Sequence, residues 1–324
     1  MGWCRNVDRD GRSLLQTEVV TAYDPHPFTT APRALPGVDA LWPLCLAIAR
    51  HRRGTGPAPA PDAARRFHQH RSHGFVLDPA AWHPEALELF SLLKPVLDCP
   101  PESPTWVIGQ LGQSLDGCIA TRGGDANFVN GPEMLLHLHR LRALCDAVIV
   151  GAATAAIDNP QLTTRRVAGE HPVRVLIDPT LRLAPTLRVF TDRQAPTLLV
   201  CDAAREAEAA AQVGADQVLG VPGLLKENGT LDLPALLHAL RQRGLHVLFV
   251  EGGGITVSRF IAQGCMDRLH LSIAPVLIGG GRPGLSLPVG MVMRNCPRPP
   301  ASVFRMGADV LWDLDLRALA PFAT

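Results

Sequence analysis

The sequence is poor in lysine and tyrosine, and each shortage removes one kind of chemistry. Lysine occurs only as Lys94 and Lys226, and the one tyrosine is Tyr23, so a tyrosine acid is excluded from the C-terminal two thirds of the chain. Nearly all other basic residues are arginines, whose planar guanidinium suits phosphate but does not titrate as an amine. A formal net charge of +1 gives no general attraction to nucleic acid or to an anionic membrane. Any anion must therefore be bound at a local site.

Long apolar runs and paired cysteines are also missing. The longest apolar stretches fall short of the roughly 18–20 residues that cross a bilayer, and the N-terminus lacks the apolar core of a signal peptide. The 8 cysteines include no Cys-x-x-Cys pair, which indicates a reducing compartment without disulfides. His68, His70 and His73 are spaced closely enough for a metal, but solvated surface histidines are the favoured interpretation. We therefore predict a cytoplasmic protein with no metal site.

The chain divides at a proline-rich stretch into two segments of different character. Residues 1–103 contain two apolar helical runs, at 38–50 and 84–97, and their role is open. From 104 to 318, short apolar strands alternate with helical periods, which favours a largely parallel sheet covered on both faces. The end of this segment, over 303–316, is typical of an antiparallel hairpin. The sequence thus predicts an α/β fold with a mostly parallel mixed sheet, a terminal hairpin and a small N-terminal extension.

The individual elements follow from the same pattern. The expected strands cover residues 106–111, 147–150, 174–177, 197–201, 247–250 and 269–274. The expected helices cover residues 132–144, 203–213, 233–243 and 255–263.

Two motifs lie early in the second segment. The run from Gly112 to Gly117 follows an apolar strand, and its small residues let the backbone approach a flat or phosphorylated ligand. A plain turn explains this run equally well, and Asp116 is interpreted as a turn residue. Arg142 lies near the end of the helix predicted over 132–144. It either pairs with the carbonyl ends of its own helix, the ordinary interpretation, or reaches a ligand phosphate.

A long polar loop follows the buried strand predicted at 147–150, at the sheet edge where open α/β folds bind ligands. In this loop, Thr154 and Asp158 can hydrogen-bond ribose hydroxyls or amides. Arg165 can bind a phosphate with both arms of its guanidinium. The Asp-Asn-Pro sequence is also an ordinary turn initiator, but the length and polarity of the loop favour a role in ligand binding.

The strongest motif is a buried strand that ends in Glu251 and is followed by three glycines that open a helix. Glycines expose backbone N–H groups, and a helix N-terminus carries partial positive charge, so this turn can bind phosphate without a side chain. It is not the Gly-x-Gly-x-x-Gly dinucleotide fingerprint. Glu251 lies where it would meet a ligand.

Taken in order, four elements resemble the reductase half of the bifunctional riboflavin-biosynthesis deaminase/reductase family, over about residues 107–316. They are Ser-Leu-Asp-Gly, Leu-Arg-Ala, Asp-Asn-Pro-x-Leu-Thr-x-Arg and Glu-Gly-Gly. The resemblance implies a dihydrofolate-reductase-like three-layer sandwich that reduces a phosphorylated ribosylamino-pyrimidine. It further implies that NADPH delivers a hydride to C1′ of the ring-opened ribose, and that the chain forms a homodimer.

The resemblance also assigns residues. Those it implies for NADPH are Gly112, Phe128, Thr154, Asp158, Gly253, Gly254, Ile255, Thr256, Val257 and Ser258. Those it implies for the substrate are Arg142, Leu162, Arg165 and Glu251. We expect the two arginines to hold the ribose phosphate, and Glu251 to be the catalytic residue that stabilises a protonated imine as it forms.

Three departures from the family pattern keep alternatives open. Gln110 stands where the family usually has a lysine, and Phe128 where it often has a tryptophan. The first hundred residues lack the His-x-Glu and Pro-Cys-x-x-Cys pattern of zinc deaminases, so we expect no deaminase activity. The alternatives are a reductase of the same fold for a pterin or another pyrimidine-derived intermediate, and a non-catalytic nucleotide-binding module. NADPH and NADH are not distinguished, although Arg182 and Arg188 are candidates for binding a 2′-phosphate.

Overall fold

The fold is organised by strands and helices that alternate along the chain in the computed structural model, which describes residues 35–60, 67–70, 74–99, 105–126, 129–288 and 292–322. In chain order the strands are β1 (Phe67–His70), β2 (Gly74–Leu77), β3 (Trp106–Ser114), β4 (Cys118–Ala120), β5 (Ala147–Gly151), β6 (Val173–Ile177), β7 (Thr197–Asp202), β8 (Val218–Val221), β9 (Val247–Glu251), β10 (Arg268–Ala274), β11 (Arg282–Pro283), β12 (Ala301–Met306) and β13 (Asp309–Asp315). The α-helices are α1 (Val38–Arg52), α2 (Pro84–Leu97), α3 (Pro132–Leu144), α4 (Ala152–Asp158), α5 (Arg188–Thr191), α6 (Glu206–Val213), α7 (Leu233–Gln242) and α8 (Gly254–Ala262).

The central sheet has nine strands in the order β12-β13-β10-β3-β9-β5-β6-β7-β8. All neighbours from β10 to β8 are parallel, whereas β13 is antiparallel to β10, and β12 to β13. The predicted fold class is therefore confirmed as α/β, with a mostly parallel mixed sheet that ends in an antiparallel hairpin.

Helices cover both faces of the sheet because its inner strands are apolar on both sides. On one face, Val148 and Phe249 belong to a core that also includes residues of α1 to α6. On the other face, Ile149 and Val250 pack in a second core with α7 and α8. Successive strand residues point to opposite faces, so adjacent residues enter different cores. Fully buried parallel strands are expected to be apolar, as β5 and the first four residues of β9 are.

The N-terminal helices contribute to the first of these cores. Leu41 of α1 and Leu93 of α2 are fully buried in the same cluster as Leu144 of α3. Arg52 and Arg53 donate hydrogen bonds to the carbonyls of residues 143–145, where α3 ends. These carbonyls lack partners within the helix, so the two arginines cap it. Residues 36–324 form one compact unit, and the boundary at 103/104 stays a prediction.

Most predicted elements are present within one to three residues of their expected limits, and α3 has the limits that were expected. One prediction is wrong: Gly112 is not at the end of its strand. The strand β3 continues to Ser114, because its pairing with β10 extends to the register pair Ser114–Ala274. Sequence analysis also missed the short elements β1, β2, β4, α4, α5, β8 and β11. His68 and His70 lie on β1, whereas His73 is outside the described residues. In the described parts of the chain, no helix has the length and apolar character needed to cross a membrane.

Candidate active site

Two helices begin side by side at the carboxyl edge of the sheet. Helix α4 starts directly after β5, and α8 starts three residues after β9, which is the neighbour of β5. The hydroxyl oxygen of Thr154, in the first turn of α4, accepts a hydrogen bond from the amide of Gly253 at 3.1 Å. The N-terminal ends of two helices therefore lie together at this edge, and their partial positive charges add.

The glycine turn before α8 is packed too closely for side chains. Gly252 has a φ of 144°, which is accessible to glycine and strained for other residues. A Cβ on Gly254 would collide with the carbonyl oxygen of Gly284, and a Cβ on Gly151 would crowd the hydroxyl of Thr256. Backbone groups rather than side chains therefore form the surface of this turn.

The side chains of 255–258 differ in their surroundings. Ile255 is 67% exposed, whereas Val257 is fully buried in the core. Ser258 is also buried, and its hydroxyl oxygen accepts a hydrogen bond from the amide of Ser286 at 2.8 Å. Of the NADPH residues predicted in this helix, Val257 and Ser258 thus contact protein with their side chains.

Arg142 and Glu251 form a two-armed ion pair. The Nε atom of Arg142 lies 2.8 Å from Oε2 of Glu251, and its Nη2 atom lies 2.5 Å from Oε1. The third nitrogen, Nη1, donates to the carbonyl of Thr163 at 3.0 Å. The guanidinium of Arg142 therefore joins β9 to the loop after α4, rather than pairing with the carbonyl ends of its own helix. The Arg142 residue is 5% exposed, and parallel charge-assisted bonds of this kind are strong and orient both groups.

Arg165 lies on the solvent side of this pair. Its side chain is exposed, and its Nη1 atom donates to the hydroxyl of Thr163 at 2.8 Å. Partial burial lowers the pKa of the Arg165 guanidinium, and the positive charge of Arg142 acts in the same direction, while the Glu251 carboxylate opposes both. Arg142, Arg165 and Glu251 are thus close enough to interact electrostatically.

Leu162 and Asp158 define the two ends of the turn between α4 and Arg165. Leu162 is 1% exposed and packs in the core, with a φ of 56° in the left-handed region. Its backbone, rather than its side chain, therefore shapes this turn. Asp158 is exposed at the end of α4, and its pKa is raised by partial burial and by the negative charge of Glu251.

Two further positions lie on β3. The side-chain amide of Asn130 packs on Gly112 and leaves no room for a Cβ, and the Nδ2 of Asn130 donates to the hydroxyl of Ser272 at 2.8 Å. Gln110 is buried between its register partners Glu251 and His270, and in the described structure its Oε1 atom has no hydrogen-bond partner. Phe128, predicted to contact NADPH, lies outside the described residues.

The turn that contains Asp116 has a structural explanation. The carboxylate of Asp116 accepts hydrogen bonds from the hydroxyl of Ser114 and from the amides of Ile278 and Gly279. The hydrogen bond from Ser114, followed by those from the two amides, lowers the pKa of Asp116 to about 2. Asp116 therefore joins the β3–β4 turn to the segment after β10.

Sequence analysis missed two histidines of the site. The Nδ1 atom of His139 accepts a hydrogen bond from the amide of Arg165 at 3.0 Å, and Nδ1 of His171 accepts one from the amide of Thr164 at 3.2 Å. The available signal was that His139 and Arg142, three residues apart, occupy the same face of a helix.

Comparison with known proteins identifies a family. The family model described as RibD C-terminal domain matches residues 105–298. The riboflavin biosynthesis protein RibD of Bacillus amyloliquefaciens is 35% identical over 168 residues, which cover 52% of this chain and 44% of that protein. The 2,5-diamino-6-ribosylamino-4(3H)-pyrimidinone 5′-phosphate reductase of Methanothermobacter thermautotrophicus is 35% identical over 178 residues, which cover 54% of this chain and 80% of that protein.

Solved structures share the fold. RibD of Acinetobacter baumannii matches with a TM-score of 0.57 at 22% identity, covering 71% of this chain and 63% of that one. The riboflavin biosynthesis reductase of Saccharomyces cerevisiae matches with a TM-score of 0.55 at 20% identity, covering 70% of this chain and 99% of that one. The chain spans less than half of the Bacillus RibD but most of the archaeal reductase. Because the family model matches more than half of its residues, the chain belongs to the RibD C-terminal domain family.

Proposed function

We propose that this chain is an NADPH-dependent reductase of a phosphorylated ribosylamino-pyrimidine, with hydride transfer to C1′ of the ribose. One observation carries the proposal: the glycine turn before α8, the Arg142–Glu251 pair and Arg165 lie together at the carboxyl edge of the sheet. The names of relatives that match over most of their length supply the reaction and the substrate class.

The residues at the two helix N-termini fit a nicotinamide dinucleotide. Backbone amides at the start of α8 can donate to its phosphates, and Gly252 and Gly253 beside them are partly exposed. The Thr154 hydroxyl accepts from Gly253 and so keeps its own hydrogen to donate to a ligand. Asp158, at the end of α4, can accept from a ribose hydroxyl. When bound, the cofactor supplies the hydride.

The charges at the sheet edge suit the substrate. We assign Arg165 to the ribose phosphate because its guanidinium is exposed and bonds only to Thr163 in the described structure. Arg142 adds positive charge while it fixes the Glu251 carboxylate. Glu251 then lies ready to stabilise positive charge that develops on a substrate imine, without reorganisation at the moment of reaction.

Gln110 supports a second candidate, a reductase of the same fold for a pterin or another pyrimidine-derived heterocycle. Its buried Oε1 atom, beside Glu251, is an acceptor without a partner among the described residues. A neutral amide there presents different hydrogen-bonding groups to a heterocycle than a lysine would.

The test is a cofactor-oxidation assay followed by absorbance, with a panel of phosphorylated ribosylamino-pyrimidines, their dephosphorylated forms and pterins. We expect oxidation with a phosphorylated pyrimidine and a large loss when the phosphate is removed. Turnover of a pterin alone would favour the second candidate. A non-catalytic module would show no turnover at all but would still be stabilised, by about 2.7 kcal/mol at 100 times the Kd of the nucleotide.

We also infer a cytoplasmic location, from the lack of Cys-x-x-Cys pairs in the sequence, and a homodimer, which the family resemblance implies. The half-exposed Val303 and Trp312, which are register partners on the outer strands, support a contact with a second copy. Light scattering of the full chain in solution, which gives its mass, tests the dimer.

A further inference from the structure

We propose that His139 is a positioning residue for Arg165, because its neutral imidazole holds the backbone from which the phosphate-binding guanidinium extends. This inference rests on the proposed function, in which Arg165 binds the substrate phosphate. It concerns the stretch of residues 162–166, called here the arginine loop.

Two side chains of helix α3, one helical turn apart, form hydrogen bonds with the arginine loop. His139 and Arg142 are three residues apart and lie on the same face of the helix. Nδ1 of His139 accepts from the amide of Arg165 at 3.0 Å, and Nη1 of Arg142 donates to the carbonyl of Thr163 at 3.0 Å. One side of α3 therefore fixes an N–H and a C=O of the same loop.

A second histidine holds the preceding amide. Nδ1 of His171 accepts from the amide of Thr164 at 3.2 Å, and the Thr164 hydroxyl donates to the carbonyl of Glu170 at 3.0 Å. An imidazole nitrogen accepts only when it carries no proton, so both rings must be neutral with the hydrogen on Nε2. Two consecutive amides of the loop thus depend on neutral histidines.

His139 is suited to stay neutral. It is 4% exposed, and it faces the positive charges of Arg142 on its own helix and of Arg165 and Arg166 on the loop. Burial, and then these charges, lower its pKa to about 4. Near neutral pH the ring therefore remains an acceptor.

The arginine loop needs such support because its conformation is not a local preference. Leu162 adopts a φ of 56°, a region that residues with a branched, bulky side chain rarely occupy. The side-chain hydrogen bonds of Arg165 in the described structure go only to Thr163 of the same loop. The guanidinium is therefore positioned through the backbone, and the backbone is held by His139.

The test compares His139→Asn, His139→Gln and His139→Leu. The Oδ1 of asparagine occupies the place of Nδ1, whereas glutamine keeps the polarity but moves its acceptor one bond further out, and leucine has no acceptor. We expect Gln and Leu to raise KM for the phosphorylated substrate about tenfold, a loss of one hydrogen bond, with KM for NADPH nearly unchanged. Asparagine should restore most of the substrate KM. His238→Asn, at an exposed histidine of α7, is the matched control.

Hydrogen–deuterium exchange of the peptide that contains the arginine loop gives a readout independent of activity. Exchange should be faster in the Gln and Leu variants and near wild type in the Asn variant. Three results would overturn the role of His139. They are an equal rise in KM for the phosphorylated substrate and for NADPH, unchanged deuterium exchange in the Gln variant, and a substrate KM that the Asn variant does not restore. Failure of the proposed function is distinct, because the wild-type chain itself would then reduce no phosphorylated substrate.

Discussion

The indole Nε1 of Trp42 donates a hydrogen bond to the carbonyl of Ala168 at 2.8 Å, across 126 residues of sequence. Ala168 follows the arginine loop by two residues, and Trp42 lies on the N-terminal helix α1. The segment before the family domain thus bonds directly to the backbone beside the candidate active site.

Replacing Trp42 by phenylalanine keeps an aromatic ring but removes the donor and some volume. Because Trp42 is 8% exposed, we expect the free energy of unfolding to fall by about 1–3 kcal/mol. Denaturant unfolding followed by circular dichroism measures this change. Leu277→Ala, at a side chain that is 74% exposed, is the control and should change stability by less than about 0.5 kcal/mol.

A chain that starts at residue 104 would lack both N-terminal helices. It would leave the buried Leu144 and Cys145 without their neighbours in the first core and would remove the Arg52 and Arg53 caps of α3. We expect this fragment to aggregate or to lose cooperative unfolding, in contrast to a chain that starts at residue 36. A stable, active fragment would show instead that the predicted boundary at 103/104 separates independent domains.

The Arg142–Glu251 pair can be tested by a double-mutant cycle. Arg142→Met leaves a mostly buried carboxylate without its partner, so we expect roughly 2–3 kcal/mol of destabilisation. Combining it with Glu251→Met removes both charges and should recover much of that loss, because no charge is then left buried without its partner. The losses in unfolding free energy of the two single variants are therefore not additive. The double variant should nevertheless be inactive. Additive effects on unfolding would mean that the two groups do not interact.

Glu251→Gln keeps the shape of the side chain but removes the negative charge. If Glu251 stabilises positive charge in the transition state, kcat should fall by about 10²–10³-fold while KM for NADPH changes little. Single-turnover reduction of the substrate separates this effect from product release. A rise in KM without a fall in kcat would assign Glu251 to ground-state binding alone.

Gly254→Ala introduces a Cβ against the carbonyl of Gly284. We expect a loss of about 1–3 kcal/mol in stability and a weaker thermal stabilisation by NADPH, since the turn must move. Gly123→Ala is the control, because a Cβ there meets only the Thr121 hydroxyl at 3.8 Å. Thermal unfolding with and without NADPH distinguishes the two variants.

Stability should depend on pH through His139. Its pKa is about 4 in the folded chain and near 6.5 when unfolded, so between these values the unfolded state binds more protons. The free energy of unfolding should therefore fall as the pH is lowered from about 6.5 to about 4, and the contribution of this residue is lost below that range. Urea unfolding across this interval should show a smaller pH dependence for His139→Asn than for the wild type.

Whether the sequence predicted an element correctly depended on whether the residues that determine it are neighbours in the chain. Helix α3 was predicted with its observed limits, because Gly131-Pro132 and the apolar period mark them in the sequence. Helix α4 was missed because a short alanine-rich run after a strand has no distinctive period. The extension of β3 past Gly112 depends on pairing with β10, which lies far away in the sequence.

The same distinction holds for the site. Arg142 and Glu251 were both predicted as substrate residues, but their pairing was not, because it joins residues 109 apart. The pairing depends on the position of β9 beside β5 in the sheet. That position is set by the strand order and not by the local sequence. The two histidines that bind the arginine loop, His139 and His171, were also missed.

The stretch after β11 connects the β3–β4 turn to the start of α8. Its Gly284 packs on Gly254 and donates its amide to the carbonyl of Gly117, while its Ser286 donates to Ser258. A shift of this stretch must therefore disturb both the β3–β4 turn and the start of α8. The exposed Pro288 can be replaced by cysteine and labelled with a fluorescent reporter. Its signal should respond to ligand binding at the β3–β4 turn and at the start of α8.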